Sequence, residues 1–332
     1  MNNEKPLVAI HCLVYNHEPY LRDCFEGFVM QQTNFPFVAI VHDDVSTDGS
    51  VAIIREYEAK YPHIFKPIYE TENQYSKQDG SLGRIMNTAI DATGAKYVAM
   101  CEGDDYWTDP LKLQKQVDVF EREKSLSICI NQVQSVSCDK KRIDWTIPSN
   151  SVVQEGKFTF EDFARLEWGG RQWTFHTVGI MYQTKFTNTN YEKEIIKMFP
   201  YGDLPLIIFC LLHGDGYYIN ELMSCYRLDT GGYMSTLARD IKKYIYSEQQ
   251  LKRALLKLND YTNQKYNKYI QKRIALCEYR IYVASGNGRW KIVLPKYWSC
   301  ISGANFRQKL LNGIRIVTPN LHRQLKKLKD IF

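Results

Sequence analysis

The sequence predicts an α/β protein: a mixed, mostly parallel sheet flanked by helices, followed by a C-terminal helical extension. Two observations carry this. Over about the first 120 residues, short β-rich apolar runs alternate with segments of helical apolar spacing, the pattern of strand-helix-strand units. From about residue 240 strand signals cease, and leucines and tyrosines recur at helical spacing in a stretch that also turns basic.

Leu7 to Val14 is an apolar run of buried-strand length that stops at Tyr15-Asn16-His17-Glu18-Pro19. Tyr20 to Gln32 places Leu21, Cys24, Phe25, Phe28 and Val29 on one helical face, and Phe37 to Val41 resumes strand character before His42-Asp43-Asp44. Ser46 to Ser50 supplies capping residues for a helix through about Tyr61, and Ile64 to Tyr69 reads as a third strand. Gly83 to Thr93 is helical and closed by Gly94; Tyr97 to Cys101 is a fourth strand running into Glu102-Gly103-Asp104-Asp105. A helix over Leu111 to Glu123 then leads to a mixed region with strands near Ser127 to Val136 and Thr177 to Gln183, and residues 195 to 232 alternate helix and strand again. Further on, Leu251, Leu255 and Leu258 share one face, followed by Tyr266, Tyr269 and Ile270. No repeat or low-complexity linker interrupts the chain.

At 332 residues, 44% hydrophobic and 24% charged, the chain buries a sizeable core and is not a disordered one. The longest apolar candidate, Leu204 to Leu212, ends at His213-Gly214 and is about half of what a spanning helix needs. No secretory leader is evident at the amino terminus, so the expected location is cytoplasmic. The nine cysteines form no CxxC pair and read as reduced core residues. Charge is uneven: from Tyr233 onward there are 21 Lys and Arg against 5 Asp and Glu, a net +16, against −10 before it. An acidic body joined to a basic tail implies an anionic partner for the tail.

Ligands of open parallel sheets bind beyond the carboxyl ends of the strands. Three polar clusters fall at such ends: Asn16-His17-Glu18, Asp43-Asp44 and Glu102-Gly103-Asp104-Asp105. Acids converging from separate strands repel one another unless a cation is bound, and Mg²⁺ or Mn²⁺ bridging a diphosphate accounts for them economically. Neither a Walker-type phosphate loop nor Gly-x-Gly-x-x-Gly follows the first strand.

The order of these motifs resembles the family 2 inverting glycosyltransferases of the GT-A fold, a Rossmann-like α/β architecture. Val8 to His17 is similar to that family's opening strand and loop. Val41-His42-Asp43-Asp44-Val45-Ser46-Thr47-Asp48 is similar to its Asp-Asp-Gly-Ser-x-Asp stretch, with Val45 in place of the small residue, so a slightly altered turn is expected. Asn73, Gly83, Asn87, Ala89 and Gly94 match the segment that follows. Glu102-Gly103-Asp104-Asp105 stands where the family carries Asp-x-Asp, and Trp107 to Gln116 fits as well. The resemblance is firm over residues 7 to 120 and looser from 170 to 235, where Gly202-Asp203-Leu204-Pro205 resembles the place of the acidic general base. Tyr226-Arg227-Leu228-Asp229-Thr230-Gly231-Gly232 is similar to Tyr-Arg-x-His-x-Gly-Gly; with Asp229 at the His position, Arg227 becomes the candidate diphosphate contact.

The resemblance implies a transferase that moves one sugar from a nucleotide-diphospho-sugar, a UDP-sugar by preference, to a glycan or lipid-linked acceptor in cell-surface polysaccharide biosynthesis. It implies a donor site of Val14, Tyr15, Asn16, Glu18, Asp43, Asp44, Asn73, Arg84, Glu102, Gly103, Asp104 and Arg227. Asp104 and Glu102 would hold the Mn²⁺ or Mg²⁺, and Asp203 would act as base. Residues 1–120 are expected to form the donor half, 121–235 the acceptor half of the same domain, and 236–332 a basic, mostly helical region. The processive Gln-x-x-Arg-Trp motif is absent, which favours single-sugar addition.

The residues leave several roles open. Asp203 is either the base or an ordinary helix start, and His176 either lines the acceptor site or is structural. Arg227 contacts phosphate or forms an internal ion pair. Pro319 to Phe332, with Leu321, Leu325, Leu328 and Phe332 on one face and Arg323, Lys326, Lys327 and Lys329 elsewhere, either docks on the protein's own core or makes peripheral contact with the inner face of the membrane. A nucleotidyltransferase, and a non-catalytic membrane or nucleic-acid adaptor, are the competing functions; no nucleic-acid partner is expected for an enzyme.

Overall fold

A computed structural model describes residues 5–148, 153–168, 175–186, 198–231, 240–286 and 297. The chain divides into two compact units. One comprises Met1–Glu167, Gln172–Lys197 and Tyr201–Gly232; the other comprises Trp168–Arg171, Met198–Pro200 and Tyr233–Phe332.

The first unit is a ten-stranded mixed sheet flanked by helices. Its centre is β1 (Val8–Val14), which pairs in parallel with β2 (Phe37–Asp43) and with β4 (Tyr97–Met100). Parallel to β2 on its other side runs β3 (Phe65–Tyr69). Val8, Ala9, Ile10, Cys12 and Val14 are all buried, as expected of a strand covered on both faces. The helix α1 (Glu18–Val29) buries Leu21, Cys24, Phe25 and Phe28, the i, i+3, i+4, i+7 set that makes one face. Phe25 packs edge-on against Tyr57 and Phe65, and Phe28 lies 5.0 Å from the Trp107 ring. This helix starts two residues before the expected Tyr20, because Pro19 is preorganised for a first turn.

Beyond β2 come α2 (Ser50–Lys60), the short α3 (Gln74–Lys77) and α4 (Ser81–Thr93). The expected start of α4 at Gly83 moves to Ser81, whose N–H is held by Asp79 Oδ1 at 2.8 Å. The second half of the sheet is built on two long parallel strands, β6 (Leu126–Val136) and β10 (Asp215–Arg227). Between β4 and β6 lies β9 (Ile180–Gln183), antiparallel to both. The expected strand from Thr177 begins only at Ile180. Thr177–Gly179 is a 3₁₀ turn capped by the His176 side chain, and Gly179 approaches the Asn131 backbone so closely that a Cβ would sit 2.8 Å from its carbonyl oxygen. The two-residue β5 (Tyr106–Trp107) pairs antiparallel with β10, Trp107 opposite Ser224. That pairing sets the loop after β4 beside the end of β10. At the other rims β7 (Arg142–Ile147) pairs with β6 and β8 (Gly156–Phe158) with β10. Among the described residues of this unit are three further helices, α5 (Lys112–Arg122), α6 (Phe160–Glu167) and α7 (Asp203–His213).

The second unit is described as a helical hairpin of α8 (Ile241–Tyr261) and α9 (Asn267–Ser285). Asp240 caps α8 by accepting the Lys242 and Lys243 N–H groups. Leu251, Ala254, Leu255 and Leu258 of α8 and Ile270, Ile274 and Cys277 of α9 are buried. Glu248 meets Arg273 and Arg280, and Lys252 meets Glu278, so the helices run antiparallel. The amphipathic segment Pro319 to Phe332 lies outside the described residues.

Candidate active site

The loop after β4 carries the densest set of acids. Cys101 N–H bonds back to the His11 carbonyl, and Gly103 N–H donates to Leu13 O at 2.9 Å, which draws the loop against the end of β1. Only glycine fits there: a Cβ on Gly103 would lie 2.8 Å from His17 Nδ1 and 3.1 Å from Leu21 Cδ1 and Val14 Cγ2. Asp104 Oδ2 accepts the Thr230 hydroxyl at 2.7 Å. Asp105 is 2% exposed, and its Oδ1 accepts the Arg227 backbone N–H.

These acids perturb one another. Glu102 keeps some solvent contact as a residue, but burial of its carboxyl group, then repulsion by Asp104 and Asp203, pushes it up to about 8. Burial, then Asp104, raises Asp105 well above the carboxylate range. Asp203 is raised by burial, opposed by the Leu204 N–H, its own backbone and a hydrogen bond with Thr177. Asp203 is therefore the first residue of α7, brought within electrostatic reach of Glu102, and the N-cap position belongs to Gly202. Raised carboxyls in one cleft are a signature of acid-base and ion-binding sites.

Arg227, 1% exposed on its side chain, stands behind the acids. Its Nη1 donates to the Asp104 carbonyl at 2.9 Å and its Nη2 to Asp23 Oδ2 at 2.9 Å, while the guanidinium lies 4.7 Å from the Tyr20 ring centre and 5.0 Å from that of Tyr106. Of the two roles the sequence leaves open, this geometry favours the internal ion pair. His176 accepts the Val178 N–H through Nδ1 and packs 3.9 Å from the Tyr226 ring centre; burial lowers its pKa to about 3, which fits the structural role.

At the ends of β1 and β2 the expected donor residues lock two loops together. Asn16 accepts the Thr47 N–H at 2.7 Å and its own N–H donates to Ser46 Oγ. Glu18 accepts the Gly49 N–H and donates its backbone N–H to Asp48. The adjacent aspartates divide their work. Both Asp44 oxygens accept backbone N–H groups at the start of α3, Gln74 at 2.6 Å and Tyr75 at 3.0 Å. Asn73 caps the same helix and donates to the Asp44 carbonyl. Asp43 is 2% exposed; its Oδ2 accepts the Ser46 N–H, whereas its buried Oδ1 has no partner among the described residues. In the turn that follows, Val45 has a left-handed conformation, with φ +67°, a position that suits glycine.

The Val14 carbonyl accepts the Asp44 N–H, and Tyr15 is half exposed beside it. The geometry thus groups Glu102, Asp104, Asp105, Asp203, Thr230 and Arg227 at one rim, and Val14, Asn16, Glu18, Asp43, Asp44 and Asn73 at the adjoining strand ends. Arg84 is tied to neither group: it is 61% exposed on α4, bonded to the Asp79 carbonyl. Sequence reasoning missed Asp23, Tyr20 and Tyr106, which look like ordinary surface or strand residues. Thr230 lay inside a quoted motif without a role.

A divalent metal fits this rim by its donor set. Glu102 and Asp104 offer hard oxygen atoms, and their mutual repulsion is what a cation relieves. Among the described residues no group of three or more His, Cys, Asp or Glu forms a closed ligand set.

The profile described as Glycosyl transferase family 2 matches residues 10–186. An uncharacterized protein of Mycobacterium tuberculosis is 40% identical over 131 residues, 39% of this chain and 36% of that protein. The putative teichuronic acid biosynthesis glycosyltransferase TuaG of Bacillus subtilis is 31% identical over 144 residues, 43% of this chain and 53% of TuaG. The matches thus span between about a third and a half of these curated relatives. Among solved structures, S. aureus TarS residues 1–349 in complex with UDP-GlcNAc superposes with a TM-score of 0.59 at 16% identity, over 93% of this chain and 81% of that one. The mannosyltransferase PcManGT of Pyrobaculum calidifontis, in complex with GDP-Man and Mn²⁺, gives 0.51 at 14% identity, over 99% and 85%.

Proposed function

The chain belongs to glycosyl transferase family 2 and has the GT-A fold, and from that premise we propose that it moves a single sugar from a UDP-sugar to a hydroxyl of a glycan or lipid-linked acceptor, with inversion, in cell-surface polysaccharide biosynthesis. The observation that carries the proposal is a Glu102 carboxyl within electrostatic reach of Asp104 and Asp203: its burial first, then repulsion by those two aspartates, pushes it up to about 8. A non-catalytic adaptor needs no such cluster. The cytoplasmic face of the membrane is the site of action in this reading, with peripheral contact through the basic C-terminal region.

In the reaction, the acceptor oxygen attacks the anomeric carbon as the bond from that carbon to the diphosphate oxygen breaks, and the hydroxyl proton passes to Asp203. Burial raises Asp203, which strengthens it as a proton acceptor while it remains a carboxylic group of usable acidity. Asp104 and Glu102 would hold the divalent ion, which when bound would supply charge neutralisation for the departing diphosphate. In this reading the unpartnered Asp43 Oδ1 accepts an N–H of the nucleobase, with Tyr15 alongside. Asp44, Asn73, Asn16 and Glu18 fix the loops on which Asp43 sits, and Arg227 holds the Asp104 carbonyl.

UDP as the nucleotide draws support from the likeness to TarS with UDP-GlcNAc, and the metal from the likeness to PcManGT with Mn²⁺. The test is thermal stabilisation by UDP-, GDP-, dTDP- and CMP-sugars, with Mn²⁺ or with chelator, for wild type and Asp104→Ala. Donor at about 100 Kd adds roughly 2.7 kcal/mol to a binding-competent protein. A metal-dependent shift with UDP-sugars that Asp104→Ala abolishes supports the proposal. No shift with any nucleotide sugar from a folded protein overturns it.

A further inference from the structure

The outer face of α8 combines two features that a purely solvated helix face does not need together. Lys242, Tyr246, Arg253 and Lys257 recur at spacings of four, seven and four residues, which sets them in one stripe about 22 Å long. Beside this stripe lie Ile241, Lys243 and Leu256. Ile241 is 57% exposed, Tyr246 56% and Leu256 43%, so three of the nine large exposed hydrophobics among the described residues lie on this one helix.

The cations of this face outnumber its acids: Asp240 interacts with Lys243 and Lys242, and Asp260 lies three residues beyond Lys257. Glu248 and Glu278 are engaged at the seam between the helices, by Arg273, Arg280 and Lys252. Lys242, Lys243, Arg253 and Lys257 are exposed and make no ion pair among the described residues. Asp240 is occupied in capping the helix and Asp260 stands at its far end. A groove of about 420 Å³ opens beside the stripe, with Arg253 and Leu256 on the α8 side and Ile281 and Tyr282 on the α9 side. The same groove is lined by Gln249 and by the Lys252–Glu278 ion pair, which leaves Arg253 as the cation for a lipid phosphate, with Leu256, Ile281 and Tyr282 beside the chain.

We propose that the outer face of α8, with this groove, is a docking surface for an anionic phospholipid bilayer. The sign of the charge and the apolar side chains interleaved with it select that occupant: a soluble polyanion answers the cations alone, and a bilayer with anionic headgroups answers both. Among the described residues no helix is long and apolar enough to cross a membrane, so the contact is one of lying on the surface. The inference rests on the peripheral-contact part of the proposed function and gives it a location; it does not depend on the donor chemistry.

The test is sedimentation of the full chain with vesicles of phosphatidylcholine alone or mixed equally with phosphatidylglycerol. Three proteins are compared: wild type, the charge variant Lys242→Glu/Arg253→Glu/Lys257→Glu, and the apolar variant Tyr246→Ser/Leu256→Ser. Wild type is expected on the anionic vesicles only. Three lost cations weaken binding by about 100-fold or more, and loss of the two apolar side chains weakens it by about tenfold or more. Charge-variant binding equal to wild type overturns the proposal, because the contact then lies elsewhere or does not exist. A charge effect without an apolar effect, with soluble polyphosphate displacing wild type from the vesicles, also overturns it in favour of a polyanion site. UDP-sugar thermal shifts on the same variants separate the two readings: they are expected unchanged, and their absence from all three proteins counts against the donor site alone.

Discussion

Arg227 of β10 and Asp23 of α1 meet at 2.9 Å, far apart in sequence and adjacent behind the acidic rim. The same guanidinium holds the Asp104 carbonyl, so a helix and a strand jointly fix the loop that carries Glu102 and Asp104. Removing one partner of such a pair leaves a buried charge uncompensated. Asp23→Ala is expected to lower unfolding free energy by about 3 kcal/mol and to weaken Mn²⁺ binding. Urea denaturation and metal titration check both; a variant as stable as wild type would show that Arg227 is held by its aromatic neighbours alone.

Gly103 has no room for a side chain, its imaginary Cβ lying 2.8 Å from His17 Nδ1. Gly103→Ala is expected to destabilise the protein by about 1–3 kcal/mol through overpacking and to lose UDP-sugar binding. Gly103→Ala with His17→Ala is expected to recover part of that stability in a double-mutant cycle, because the main obstruction is removed. Additive losses in the cycle would place the obstruction elsewhere.

Val45 holds φ +67°, where a β-branched side chain is strained by about 1–2 kcal/mol. The conformation is kept because Asp43 Oδ2 accepts the Ser46 N–H across the turn. Val45→Gly relieves the strain at some cost in unfolded-chain entropy, for an expected net gain of about 1 kcal/mol in stability, measured by urea denaturation. A loss of stability would mean that valine packing outweighs the backbone strain.

Burial, then Asp104 and Asp203, pushes Glu102 up to about 8 from an ordinary value of 4.5. The folded state therefore binds the proton more tightly than the unfolded state, and this group's contribution makes stability fall as pH rises from about 4.5 to about 8. A cation that needs the carboxylate competes with that proton. Apparent Mn²⁺ affinity is expected to rise with pH up to about 8 and level off above it. Glu102→Gln should flatten both profiles, and a wild-type affinity independent of pH would remove Glu102 from the ion's ligands.

The strand ends were legible in the sequence because each apolar run stopped at a polar cluster, and the β4 acids stood out as a group without a structural purpose. What distinguishes Asp43 from Asp44 was not legible: both follow the same strand, and only the arrival of α3 shows that Asp44 is consumed by the Gln74 and Tyr75 N–H groups. Asp23 was invisible for a similar reason, its partner lying 204 positions away. The delayed start of β9 depends on the close approach of Gly179 to Asn131, a tertiary contact that strand periodicity does not report.

The most direct measurement is UDP-sugar turnover with water as acceptor, alongside UDP–Mn²⁺ binding, in wild type and Asp203→Asn. The substitution keeps the size of the side chain and removes its capacity as a base. Binding within about twofold and turnover reduced by about 10²–10⁴-fold are expected if Asp203 accepts the acceptor proton beside a donor site built by Glu102 and Asp104. Turnover that survives in Asp203→Asn with binding intact would contradict that role and move the base to another residue of the rim.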